Sequence, residues 1–207
     1  MSAKKMREGS LPDAKLYSGK VKRLALSMIK RGYTLREAMD FVSSAKGILD
    51  KDNYALMNWF TENLPALENR ENFKELREDC ACCLGGKREA AARAIFKENP
   101  DRASRMEALM SNPLIVGYRG EKIDENSFYV SFYPEMEYYR CSCLRPEKGK
   151  QTAPMPRGYC YCCCGHLKHH VQKALGCEVQ VELITSALTT LGKEGCRFLV
   201  KVVKEED

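Results

Sequence analysis

The spacing of apolar residues changes near residue 110, and that change constrains the fold more than any other feature of the chain. Before it, apolar residues recur at helical spacing. Residues from about 13 to 31 place Leu16, Leu24 and Met28 on one stripe between lysines and arginines. Thr34-Leu35-Arg36-Glu37 fits a capping box, in which the hydroxyl and the carboxylate satisfy orphan amides at a helix start. The helix it opens carries Ala38, Phe41 and Val42, and another runs through Tyr54, Leu56, Met57, Trp59 and Phe60. Ala90 to Phe96 is a short Ala-rich helix. Asn99-Pro100 reads as a cap and first-turn proline for a helix through Met106 and Met110. Residues 1–111 are therefore expected to be a helical region.

After residue 112 the period moves towards two. Leu114 to Tyr118 and Phe128 to Tyr133 read as strands, as does Tyr138 to Leu144. A loop rich in Pro, Gly and Lys fills 145–158, and a helix is expected over about 162–175, with Leu167, Val171 and Leu175 facing a sheet. Glu178 to Ile184 and Cys196 to Val203 alternate as two further strands, with the Gly192–Gly195 turn before the second. The fold class is α+β: a helical N-terminal half, then residues 112–207 as an antiparallel sheet with a packed helix and a cysteine-rich site.

Composition narrows the functional classes. The net charge is +6, but Lys and Arg are interleaved with Asp and Glu. No basic block or aromatic–basic repeat points to nucleic acid. The polar N-terminus lacks a secretory pattern, and no apolar run approaches the roughly 18 residues of a membrane span. A cytoplasmic setting is expected, where thiols stay reduced. The odd count of 11 cysteines also argues against a closed disulfide framework.

Nine of those cysteines sit in three tight groups: Cys80/Cys82/Cys83, Cys141/Cys143 and Cys160/Cys162/Cys163/Cys164. Ligand and redox cysteines cluster in this way. In a strand, Cys141 and Cys143 would present two sulfurs on one side. A helix start would favour thiolate at Cys160 and Cys162 to Cys164. Cys141, Cys143, Cys160 and one of Cys162 or Cys164 make a tetrahedral zinc set, with Cys80 as a further contributor. An iron–sulfur cluster satisfies the same logic. Cys162, His166 and His170 share a helix face, so Cys162 or Cys164 with His166 is also a candidate nucleophile and base. The bland alternative for those histidines is a solvated face beside Lys168 and His169.

One stretch resembles a known family. Tyr159-Cys160, Gly165-His166, Gly176-Cys177-Glu178-Val179, Glu182, Gly192 and Cys196-Arg197-Phe198 look like the 4-vinyl-reductase or hydrocarbon-binding domain, over about 40 residues. The resemblance implies a TRAPP-like α+β fold with a pocket for a small apolar or aromatic molecule. It also implies a zinc ligand set carried here by Cys160, Glu182 and Cys196. The family's remaining cysteine would fall on Thr185. The resulting expectation is a small-molecule-binding protein with a cysteine-rich zinc site. A thiol-dependent hydrolase and an assembly subunit, such as a homodimer, are the competing classes.

Overall fold

Caps and prolines punctuate the first half of the chain. The computed structural model describes residues 7–135, 141, 144 and 153–205. Ser18 accepts the Val21 amide at 3.2 Å and opens α1 (Gly19–Lys30). Thr34 and Glu37 form the expected capping box: the hydroxyl accepts the Glu37 amide at 3.1 Å, and the carboxylate accepts the Thr34 amide at 2.7 Å. That box starts α2 (Leu35–Val42). Next come α3 (Asn53–Asn63), α4 (Pro65–Glu68), α5 (Phe73–Glu78), α6 (Gly86–Glu98) and α7 (Arg102–Met110).

Three expectations up to residue 118 need correction. The first helix starts later than the apolar stripe, because Ala14–Leu16 is a separate 3-10 turn and Leu16 is 42% exposed. Asn99-Pro100 does not cap α7; Asp101 does, accepting the Ser104 amide at 2.9 Å. The apolar run 114–118 is not a strand. Asn112 accepts the Leu114 amide, Pro113 takes the first helical position, and α8 (Pro113–Val116) forms. Gly117 stops it at φ 77°, where a Cβ would fall 2.3 Å from the Ser131 carbonyl oxygen.

The second half supplies the sheet: β1 (Arg119–Lys122), β2 (Ser127–Ser131), β3 (Cys177–Thr185) and β4 (Arg197–Glu205). All pairings are antiparallel and the order is β1-β2-β4-β3. In β3, Cys177, Val179, Val181 and Leu183 are buried while Glu178, Gln180 and Glu182 are exposed, the period-two pattern of a strand with one covered face. The strand expected at 138–144 lies outside the described residues, apart from Cys141 and Leu144, which are buried and not in a strand.

Between β2 and β3 in the chain runs α9 (Tyr161–Leu175), which packs on α5, α6 and β3. Leu167, Val171, Ala174 and Leu175 are fully buried on it. One apolar cluster takes in Leu24, Phe60 and Leu76 from the helices, Leu167 and Val171 from α9, and Val179 and Phe198 from the sheet. Gly165 lets α9 lie against the end of α5, since a Cβ there would be 2.1 Å from the Glu78 carbonyl oxygen. Arg77 on α5 is buried and donates to the Tyr159 carbonyl at 3.0 Å, fixing the approach to α9. Arg105 closes its other end by donating to the Leu175 carbonyl at 3.1 Å. The α+β class is thus as expected: helices first, then an antiparallel sheet with a packed helix. No helix among the described residues is long and apolar enough to cross a membrane.

Candidate functional site

The loop after α5 folds its backbone towards α9. Cys83 adopts φ 61°, a left-handed conformation uncommon for a residue with a Cβ. Two successive carbonyls meet two imidazoles one helical turn apart. The Cys82 carbonyl lies 3.1 Å from His166 Nδ1, and the Cys83 carbonyl lies 3.2 Å from His170 Nε2. A carbonyl only accepts, so each of those nitrogens carries a proton. His166 is therefore left with a bare lone pair on Nε2, and His170 with one on Nδ1. Burial lowers the His166 pKa to about 4, with the Cys82 bond opposing the shift, so its ring is neutral at ordinary pH. Burial lowers that of His170 as well. A ring whose other N–H is held by a carbonyl is the usual state of a metal-binding histidine. The histidine face is thus not solvated: His166 and His170 are both buried.

Beside this clamp lies a cleft of about 350 Å³. Cys82 and Cys83 line it from the loop, Cys162, Cys163 and His166 from α9, and Cys141 from the far side. Its other walls are Pro113 and Leu114 of α8, Gly117 and Tyr118 beyond it, and Phe132 to Pro134 after β2. Arg88 of α6 reaches the rim and donates to the Leu114 carbonyl at 2.8 Å. The ten described cysteines are all thiols.

The expected zinc set is only partly assembled here. Cys141 and Cys162 line the cleft; Cys143 lies outside the described residues. Cys164 is outside the lining and fully buried, and burial, with the Glu78 charge adding, pushes its thiol well up. The helix dipole expected to favour thiolate at Cys164 is outweighed by desolvation. Cys80 is also buried, its thiol raised by desolvation and donating to the Leu76 carbonyl at 3.4 Å. Cys160 stands 3.0 Å from the Ser186 hydroxyl, and that same side chain bonds Cys196. Cys160 and Cys196 therefore do meet, around Ser186. Glu182 takes no part, because strand alternation puts it on the exposed face of β3. Cys177 is buried at the head of β3.

A second group lies one turn further along α9. Glu89 of α6 accepts from Lys173 at 2.6 Å, Arg93 at 2.9 Å and His169 at 3.1 Å. These bonds, the one from Lys173 first, hold its carboxyl down at about 2, so it is ionised throughout the ordinary range. Among the described residues, the ligand atoms of Glu89, His169 and His170 lie within 4.8 Å of one another, a closeness that no three of the thiols share. Glu89 had no signal in the sequence. It is one glutamate in an Ala-rich helix, carried to histidines 80 residues away by the packing of α6 on α9.

By sequence, the chain belongs to a family of unknown function (DUF6144), whose model matches residues 20–207. That match overturns the resemblance to the 4-vinyl-reductase domain, for which no family model matches. Of the zinc set that went with it, Glu182 lies on the exposed face of β3 while Cys160 and Cys196 are buried. No curated protein matches the chain.

Proposed function

We propose that the protein binds a small molecule in the thiol-lined cleft, with zinc as the ion its cysteines and His166 take up. The observation that carries this reading is the convergence of Cys82, Cys83, Cys141, Cys162 and Cys163 with His166 on one cleft. Thiolate and imidazole are the ligands of choice for zinc, and His166 is already held in the tautomer that offers Nε2. The ligand atoms stand further apart than a tetrahedral shell allows. Ion binding therefore has to draw the Cys82-Cys83 loop and α9 together, which couples metal affinity to stability. Tyr118, Phe132 and Tyr133 fit a ligand with an apolar or aromatic body, and Arg88 at the rim fits one bearing a negative group.

Elemental analysis of protein purified without added metal or a histidine tag tests the reading. Zinc should be present at about one equivalent in the cleft, and Cys82→Ser and Cys162→Ser should each remove it while Cys177→Ser keeps it. Bound zinc should also protect the cleft thiols from iodoacetamide. One thiol that alkylates rapidly in the metal-free protein at mildly acidic pH would instead favour a thiol-dependent hydrolase using Cys162 and His166. A zinc content undiminished in both cleft variants would end the proposal.

A further inference from the structure

We infer a second cation site made of nitrogen and oxygen: Glu89, His169 and His170, between α6 and α9, bind one divalent transition-metal ion. It uses no thiol, and it does not depend on the reading of the cleft.

The argument starts from His170. Its side chain is fully buried, and its Nδ1 has no hydrogen-bond partner among the described residues. The Cys83 carbonyl fixes the proton on Nε2, so Nδ1 is a lone pair shut away from water. It faces another acceptor: Glu89 Oε2 lies 3.8 Å away. Nδ1 is thus a buried acceptor opposed to a second acceptor whose donor is His169, and leaving such a group orphaned is unfavourable by about 1–3 kcal/mol. A cation between them satisfies both. His169 Nε2, 3.1 Å from the same carboxylate oxygen, supplies the third ligand.

The surrounding charges fit this assignment. Lys173 and Arg93 both bond Oε1, at 2.6 and 2.9 Å, which leaves Oε2 to the histidines. They orient the carboxylate from the outer shell, as groups behind a metal ligand commonly do. Their positive charge weakens attraction for a second cation. Both side chains reach solvent, Arg93 at 70% and Lys173 at 36% exposure, so that repulsion is screened. Ligation requires the proton that His169 Nε2 shares with Glu89 to leave that nitrogen, by passing to Nδ1 of the neutral ring, because only a bare imidazole lone pair ligates. Two histidines and one glutamate make a three-ligand set with a fourth position open to water or to a ligand. His169 is 32% exposed, so that position has a route from solvent.

Cobalt(II) titration of the full chain tests the site, because thiolate ligation adds a charge-transfer band that nitrogen and oxygen ligation lacks. One equivalent should bind without that band. Glu89→Gln and His169→Gln, both at partly exposed positions, should weaken this equivalent at least about 100-fold, since loss of outer-shell partners alone costs 10–100-fold. Cys82→Ser should leave it unchanged. Failure of the cleft reading would show separately, as absence of the charge-transfer band in every protein. The site is overturned if both variants keep the band-free equivalent, or if that equivalent disappears only when cleft cysteines are replaced. It is also overturned if nitrogen-15 spectra show a proton on His170 Nδ1 in the presence of metal, for then the gap holds a proton shared with Glu89.

Discussion

The two sides of α9 are both buried, by opposite means. On one side Leu167, Val171, Ala174 and Leu175 carry no polar side-chain atom, and all belong to the apolar cluster. On the other, Cys162, His166 and His170 are buried too, but the two imidazoles are held atom by atom by the Cys82 and Cys83 carbonyls. The apolar side is specified by volume and tolerates any side chain of the right size. The polar side is specified by direction, and each of its donors and acceptors must be matched. Burial alone does not separate a packing face from a chemical one; the fate of the polar atoms does.

Substitutions can pull the two sides apart. Leu167→Ala should have the largest effect, a loss of about 2–5 kcal/mol in urea unfolding. Thiol reactivity of the folded fraction should stay the same, and a change in it would mean that the sides are not independent. Gly165→Ala should cost about 3 kcal/mol by overpacking, because the new methyl group meets the Glu78 backbone. Unlike the leucine variant, it should disturb both sides at once, seen as altered metal or thiol behaviour together with a lower melting temperature.

Between pH 7 and 4, acid should act on the polar side rather than the apolar one. The pKa of His166 is about 4 in the folded protein against an ordinary value of about 6.5. As pH falls, the unfolded chain takes up the proton first, so stability is intact above about 6.5 and is lost progressively down to about 4. The loss should be roughly 2 kcal/mol, allowing for partial solvent access in a nominal shift worth about 3. Urea midpoints between pH 4 and 7 should show this slope, and His166→Gln should reduce it to the part that His170 contributes in the same direction. Thr34→Ala, remote from α9, should cost about 1 kcal/mol through loss of its cap and change neither side's chemistry.

Much of the frame was legible in the sequence because it rests on period. The spacing of Leu167, Val171 and Leu175 announced α9, alternation announced β3 and β4, and the Thr34–Glu37 box stands as read. Failures came where one signal has two meanings. Leu114 to Val116 is a short apolar run, compatible with strand or helix, and Asn112-Pro113 decided for helix. The similar Asn99-Pro100 pair decided nothing, because Asp101 was the better cap. At the candidate sites, adjacent cysteines proved a poor guide to adjacent thiols. Cys160 and Cys162, two residues apart, go to Ser186 and to the cleft respectively. The Cys82 and Cys83 carbonyls left no trace in the sequence, since every residue has one.

The sheet order carries a kinetic consequence. β4 follows β1, β2 and β3 along the chain, yet it lies between β2 and β3. The β1–β2 hairpin can close by itself, and β3 and β4, joined by residues 186–196, can pair as a second hairpin, but α9 has no continuous floor until the two join through β2 and β4. Until they join, a gap stays open between two unsatisfied edges, the arrangement most prone to pairing with the wrong chain. Closing it joins segments far apart in sequence, which slows folding and concentrates it in one late cooperative step. The cysteine cleft and the histidine pair, both built on α9, would therefore reach their final geometry only at that step, making thiol protection a direct clock for completion of the fold.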